Sequence, residues 1–409
     1  MTTATELPAL PKAPQTRNLI LATWAFAISF WAWNLIGPLA ARYATQMDLS
    51  ATQKSFVVAV PVIVGALGRI AAGTLTDKFG GRLMFTVLLV LSAPFVVLVA
   101  VAGNADSYPL LVVFGFFLGI AGTTFAVGIP MVKAWFEKPR QGFATGLFGA
   151  GMGGTALSSF FTPRFVEWFG YTVTHVIIAA ALLLTAALCW SLMRDSPRWT
   201  ASNQPAAPKL LAALKEPVTW QMSLLYAIAF GGFVAFSTYL PTYLGDVLTY
   251  GYDLTAAGER TAGFAIAAVV ARPVGGTLSD KLGPRLVTLV SLAGIAVMAV
   301  VLSLRPEPEW PAGIAFVLMA VFLGLGSGSV FAWVAQRAPA DKTGSVTGIV
   351  GAAGGLGGFF PPLVMGATYN EQDHTYTTGL LLLCAASALV FLYTAIGMRD
   401  RPAGRRKAT

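Results

Sequence analysis

Two arginines stand inside apolar stretches where a charge is costly. Arg69 lies in Gly68-Arg69-Ile70-Ala71-Ala72-Gly73-Thr74-Leu75-Thr76-Asp77-Lys78-Phe79-Gly80-Gly81-Arg82, and Arg272 lies in the near copy Ala271-Arg272-Pro273-Val274-Gly275-Gly276-Thr277-Leu278-Ser279-Asp280-Lys281-Leu282-Gly283-Pro284-Arg285. The copies are offset by about half the chain, which marks an internal duplication. An ionised group within a membrane-spanning helix costs roughly 3 kcal/mol on insertion scales, and such groups mark functional sites. Guanidinium is planar, keeps its charge, and offers a fork of donors that fits a flat oxyanion. Two of them related by pseudo-symmetry point to a central anion site. All 18 Asp and Glu residues fall in tails, in loops or at the ends of apolar runs, so the apolar core is formally positive.

The elements that position these arginines follow from composition. Of 409 residues, 56% are hydrophobic and 11% are charged, against about 25% charged in soluble domains. Mean hydropathy is +0.70. Twelve apolar runs long enough to span a bilayer are read between residues 18 and 398. The expected architecture is all-α and integral to the membrane, with twelve transmembrane helices in two pseudo-symmetric six-helix bundles. The expected segments are a cytoplasmic tail 1–17, bundles 18–193 and 219–398, a cytoplasmic linker 194–218 with several prolines, and a second cytoplasmic tail 399–409.

Charge placement fixes the expected orientation. Most of the 27 Lys and Arg residues sit in the tails and in alternate hydrophilic segments. The opposite segments carry only Arg42, Lys54, Arg164, Arg260 and Arg305. Basic residues accumulate on the cytoplasmic side, so both termini are expected there, in the inner (cytoplasmic) membrane. The net charge of +9 is therefore topological. Without a basic soluble domain, a nucleic-acid partner is excluded. Cys189 and Cys384 fit no metal or disulfide pattern and read as packing residues.

The repeat extends further. Leu118–Ala126 echoes Leu323–Ala332, and Gly146–Gly154 echoes Gly348–Gly355. Parallel repeats place a substrate site near the midplane, between the halves. Gly149-x-Gly151-x-x-Gly154 matches a dinucleotide fingerprint, but it lies within a spanning helix instead of after a strand, so that reading is discarded. The chain has no HExxH, GxSxG or Walker lysine and no core carboxylate, so no enzyme and no cofactor is expected.

The paired loops, Gly73-x-Leu75-x-Asp77-Lys78-x-Gly80-Gly81-Arg82 and Gly276-x-Leu278-x-Asp280-Lys281-x-Gly283-x-Arg285, resemble the signature of the major facilitator superfamily. The glycine-rich fifth and eleventh spans resemble the paired signature helices of its nitrate/nitrite porter family, and the similarity covers essentially the whole chain. The resemblance implies alternating-access transport of nitrate, nitrite or both, by proton symport or by nitrate/nitrite exchange. It implies that Asp77, Arg82, Asp280 and Arg285 make cytoplasmic charge contacts in the outward-open state. It further implies an anion clamp of Arg69 and Arg272, an aromatic sandwich of Phe125 and Phe331, and a hydroxyl from Tyr226. Gly149, Gly151, Met152, Gly351 and Gly354 are expected beside the anion. The family has an asparagine where this chain has Met152, which alters the expected hydrogen-bond set. Lys133 has two readings: it snorkels to the inner interface, or it couples transport to protons. The expected partners are the anion, protons under symport, and the lipid bilayer, with the chain acting as a monomer. The alternatives are a carrier of small organic anions such as formate or oxalate, and a membrane sensor without transport.

Overall fold

A computed structural model describes residues 12–202, 206–246, 249–339, 342–370 and 372–398. Among these, the chain is helical throughout and forms no strand; a single isolated bridge joins Asn370 and Thr375. Chain order gives α1 (Lys12–Trp33), α2 (Ala40–Gln46), α3 (Ala51–Phe79), α4 (Gly81–Asn104), α5 (Tyr108–Leu118), α6 (Thr124–Trp135), α7 (Lys138–Gly149), α8 (Gly154–Phe169) and α9 (Tyr171–Leu192). The second half follows with α10 (Ala206–Leu214), α11 (Pro217–Gly245), α12 (Leu254–Leu282), α13 (Pro284–Ser303), α14 (Trp310–Arg337), α15 (Thr343–Gly357), α16 (Phe360–Ala367) and α17 (Thr377–Gly397).

Eleven helices among the described residues are long and apolar enough to cross a membrane. The twelfth expected span, 141–163, is helical as α7 and α8 joined by a 3-10 turn over Ala150–Gly153. It is less apolar than the other eleven because it is built of glycines and polar residues, not because it is short. α1 starts at Lys12, inside the expected tail, and the expected linker contains the helix α10. Residues 1–11 and the tail 399–409 lie outside the described residues.

Local chemistry explains the turns. Ser50 opens α3 with a capping box, exchanging hydrogen bonds with Gln53. Gly80 and Gly283, equivalent residues of the repeat, both adopt φ +86° between consecutive spans, a region that favours glycine. A side chain at Gly80 would also collide with Asp195. The Asp195 carboxylate accepts from the backbone N–H groups of Gly81 and Arg82, capping α4. Arg82 then donates to the Trp190 carbonyl at the end of α9, and Arg285 donates to the Ala395 carbonyl at the end of α17. Both loop arginines thus tie helices within their own half in this conformation.

The spans that carry the two central arginines are packed through glycine. A Cβ at Gly119 would lie 2.3 Å from the Pro61 carbonyl of α3, and one at Gly328 would lie 1.9 Å from the Arg272 carbonyl of α12. Only bare backbone allows this approach, the usual device where lipid supplies no hydrophobic drive. The halves meet on one face through Gly258 of α12 against the Ser159 carbonyl, the Arg164–Glu259 ion pair, and the Ser55–Tyr239 hydrogen bond at 2.9 Å. On the opposite face, where α10 lies, they separate around a cavity.

Candidate functional site

The cavity has a volume of about 610 Å³ and runs between α3, α6 and α15, with α10 at its mouth. Arg69 and Phe125 stand at its head. Arg69 is 3% exposed. Its Nη1 donates to the Gly351 carbonyl of α15 at 3.0 Å, and its Nε reaches the Gly122 carbonyl at 3.4 Å. Its Nη2 is buried without a hydrogen-bond partner. A buried orphan donor is costly and calls for an acceptor.

Arg272 is half-buried. Its Nη2 donates to the Tyr226 hydroxyl at 3.2 Å, and its Nη1 donates to the Met152 sulfur. A thioether is a weak acceptor, so an oxyanion can displace it at little cost. None of the ion pairs among the described residues includes either arginine.

Aromatic rings join the two guanidinium groups. The Phe125 ring lies 5.1 Å from Arg69 and 5.8 Å from Arg272. Phe230 does the same at 5.4 and 5.8 Å. Phe331 faces Arg272 alone, at 5.5 Å. Such contacts are worth roughly 0.5–2 kcal/mol each where water is excluded. Tyr226 stacks on Phe230 at 4.9 Å with an interplanar angle of 1°, and meets Phe331 edge-on at 4.7 Å. Sequence reasoning missed Phe230. The available signal was its position one helical turn after Tyr226, on the same face of α11.

The remaining predicted residues divide. Gly351 supplies its carbonyl to Arg69 and lies beside Phe125. A Cβ on Gly354 would meet the Tyr226 ring at 2.1 Å, so this glycine is what lets Tyr226 reach Arg272. Gly355, not singled out from sequence, touches Arg69 in the same way at 3.3 Å. Gly151 instead packs on Phe26 and the Thr23 carbonyl of α1, away from the arginines, and Gly149 has open space beside it. Within this stretch, which winds as a 3-10 turn over Ala150–Gly153, Met152 contacts Arg272. Lys133 and Asp77 line the cavity nearer its mouth, whereas Arg82 and Arg285 engage backbone carbonyls within their own halves.

The arrangement offers two cations without fixed counter-charge, an unpartnered donor, and flat apolar walls. Its electrostatics suit an anion and oppose a cation.

Residues 22–362 match the model of the major facilitator superfamily. A protein described as a probable nitrate/nitrite transporter, NarK2, of Mycobacterium tuberculosis is 57% identical over 94% of this chain and 97% of its own. A Bacillus subtilis nitrite extrusion protein is 34% identical over 92% of both chains. Among solved structures, a bacterial homolog of the human lysosomal transporter Spinster, in an inward-facing and unoccupied conformation, superposes with a TM-score of 0.71 at 19% identity, covering 96% of this chain and 100% of that one.

Proposed function

As the chain belongs to the major facilitator superfamily and, within it, to the nitrate/nitrite porters, we propose that it carries nitrate and nitrite across the cytoplasmic membrane by alternating access. One observation carries the reading. Arg69 and Arg272 share the rings of Phe125 and Phe230 and lack carboxylate partners among the described residues, and Arg69 stands with Phe125 at the head of a cavity between the halves.

The anion accepts from the free Nη2 of Arg69 and from the Nη1 of Arg272, where it displaces the Met152 sulfur. The Tyr226 hydroxyl holds Arg272 in place and reaches the same anion. Rings at van der Waals thickness admit a flat, weakly hydrated ion. Phosphate and sulfate are tetrahedral, more highly charged and harder to dehydrate, and are turned away.

The conformation described is open on the α10 face. The excess of basic residues on that face supports placing it, and both termini, in the cytoplasm. The far face is latched by Arg164–Glu259 and Ser55–Tyr239. Conversion to the outward state must break the Arg69–Gly351 bond between halves. In that state Asp77, Arg82, Asp280 and Arg285 form the cytoplasmic contacts, so Arg82 and Arg285 leave their present carbonyl partners. A complete site within one chain supports a monomeric carrier.

Electrostatics favours exchange over proton symport. Closing an empty site buries two like charges together without compensation. A bound anion neutralises one of them, so the loaded site closes more readily than the empty one. Uptake of labelled nitrate into proteoliposomes tests this. Internal nitrite is expected to accelerate uptake severalfold, while an imposed pH gradient without internal anion does little. Acceleration by internal formate or oxalate but not by nitrite would reassign the carrier to organic anions. Absence of any anion flux would leave a sensor.

A further inference from the structure

The cavity below Arg69 holds more positive charge than the clamp requires. Its walls carry Lys133 from α6, Lys78 from α3 and Lys209 from α10, against the single acid Asp77. These cations differ in engagement. Lys78 lies over the Phe79 ring at 5.2 Å, and Lys209 interacts electrostatically with Asp77. Lys133 takes part in none of the ion pairs among the described residues. It lies two turns from Phe125 on α6, about 12 Å along the axis toward the mouth.

The opposite wall is the start of α15. Thr343, Gly344, Ser345 and Thr347 line the same cavity. Lys342 precedes this helix and provides no side-chain cap, so the first turn, whose residues line the cavity, carries the positive end of the helix dipole without a side-chain acceptor at the cap. Ser345 and Thr347 add hydroxyls. Three elements of different origin (a first-half helix, the linker helix and a second-half helix) thus contribute donor-bearing residues to the lining of one cavity. Neither the anion clamp nor the packing of the helices requires this convergence.

We infer that Lys133, Lys209 and the N-terminal turn of α15 form a second, weaker station for the same monovalent oxyanion, one step from the Arg69–Arg272 clamp on the cytoplasmic side. The inference rests on the anion-carrier reading above. The station raises the local anion concentration at the inner mouth and receives the anion when the clamp releases it. A like-signed cleft with low-dielectric walls focuses the field in this way, and the effect weakens with ionic strength. The station exists only in the inward-open state, because α15 and α6 belong to opposite halves. It therefore makes the carrier asymmetric: capture from the cytoplasm is helped and capture from outside is not.

The test compares Lys133→Gln, Lys209→Gln and the double variant with the wild type. Nitrate uptake is measured in inside-out and right-side-out vesicles, at low ionic strength and in about 0.3 M potassium gluconate. The ratio of the inner-face to the outer-face KM is expected to rise roughly three- to tenfold in the double variant at low salt, and the rise is expected to shrink below about twofold in gluconate. Lys133→Arg, which keeps the charge, restores the wild-type ratio. An unchanged ratio, or equal KM increases on both faces at every salt concentration, overturns the station. Loss of activity in Lys133→Arg as well as Lys133→Gln overturns it in favour of a proton-carrying lysine. Failure of the carrier reading itself is distinguishable, since the wild type would then show no nitrate flux in either vesicle orientation.

Discussion

Arg69 and Arg272 occupy equivalent places in the repeat and are held in unequal ways. Arg69 is almost fully buried and bonded to backbone carbonyls, one of them across the interface between the halves. Arg272 is half-buried and bonded to side chains that yield easily, a thioether and a phenol. Their helices differ too. The fourth span, packed beside Arg69, is broken by a 3-10 turn over Gly119–Thr123, while its counterpart α14 beside Arg272 is unbroken. The duplicated sequence thus builds one fixed jaw and one adjustable jaw. The fixed jaw also bridges the halves, through its bond to the Gly351 carbonyl.

The arginine variants should break this comparison most visibly. Arg69→Lys and Arg272→Lys are each expected to lower nitrate exchange by about two orders of magnitude, since an ammonium cannot supply the bidentate fork. Their stabilities should separate. Arg69→Lys leaves buried carbonyls of Gly122 and Gly351 short of donors, at roughly 1–3 kcal/mol, and should lower the melting temperature in detergent. Arg272→Lys should leave it nearly unchanged. Equal melting temperatures would erase the distinction between the jaws.

Glycine variants come next. Gly354→Ala puts a methyl into the Tyr226 ring. Overpacking of this kind costs about 1–3 kcal/mol, and exchange is expected to fall about tenfold. Gly149→Ala meets no neighbouring atom and should retain wild-type stability, which separates a glycine needed for packing from one that is not. Among the aromatics, Phe230→Ala should raise KM more than Phe331→Ala, because Phe230 faces both guanidinium groups and Phe331 only one. A larger effect at Phe331 would move the anion toward Arg272.

The smallest effect is expected from Met152→Asn. An amide in place of the thioether gives Arg272 a stronger acceptor and brings a donor to the anion. The ratio of nitrate to nitrite KM should change by roughly twofold to fivefold.

How much of this the sequence displayed depends on the kind of signal. A charge in an apolar run is visible because it violates its surroundings, so Arg69 and Arg272 stood out without a structure. Phe125, Phe331 and Tyr226 became visible through the repeat and the family likeness. Phe230 did not, since it is one of 27 phenylalanines and lies outside the repeat segments quoted. The carbonyls of Gly122 and Gly351 were hidden because backbone acceptors carry no residue-type signal. The inequality of the jaws was hidden for a related reason: burial arises from how helices pack, and the copied segments are nearly the same around both arginines. The fifth span shows the converse. Its glycines were legible, but the packing of Gly151 against α1 and the contact of Met152 with Arg272 were not.

Calorimetric titration of nitrate into the purified protein tests the central claim most directly. Two guanidinium groups without fixed counter-charge should bind one anion per chain at the clamp, with the heat lost in both Arg69→Lys and Arg272→Lys while both variants remain folded. Undiminished binding of one nitrate per chain in either variant would contradict the account.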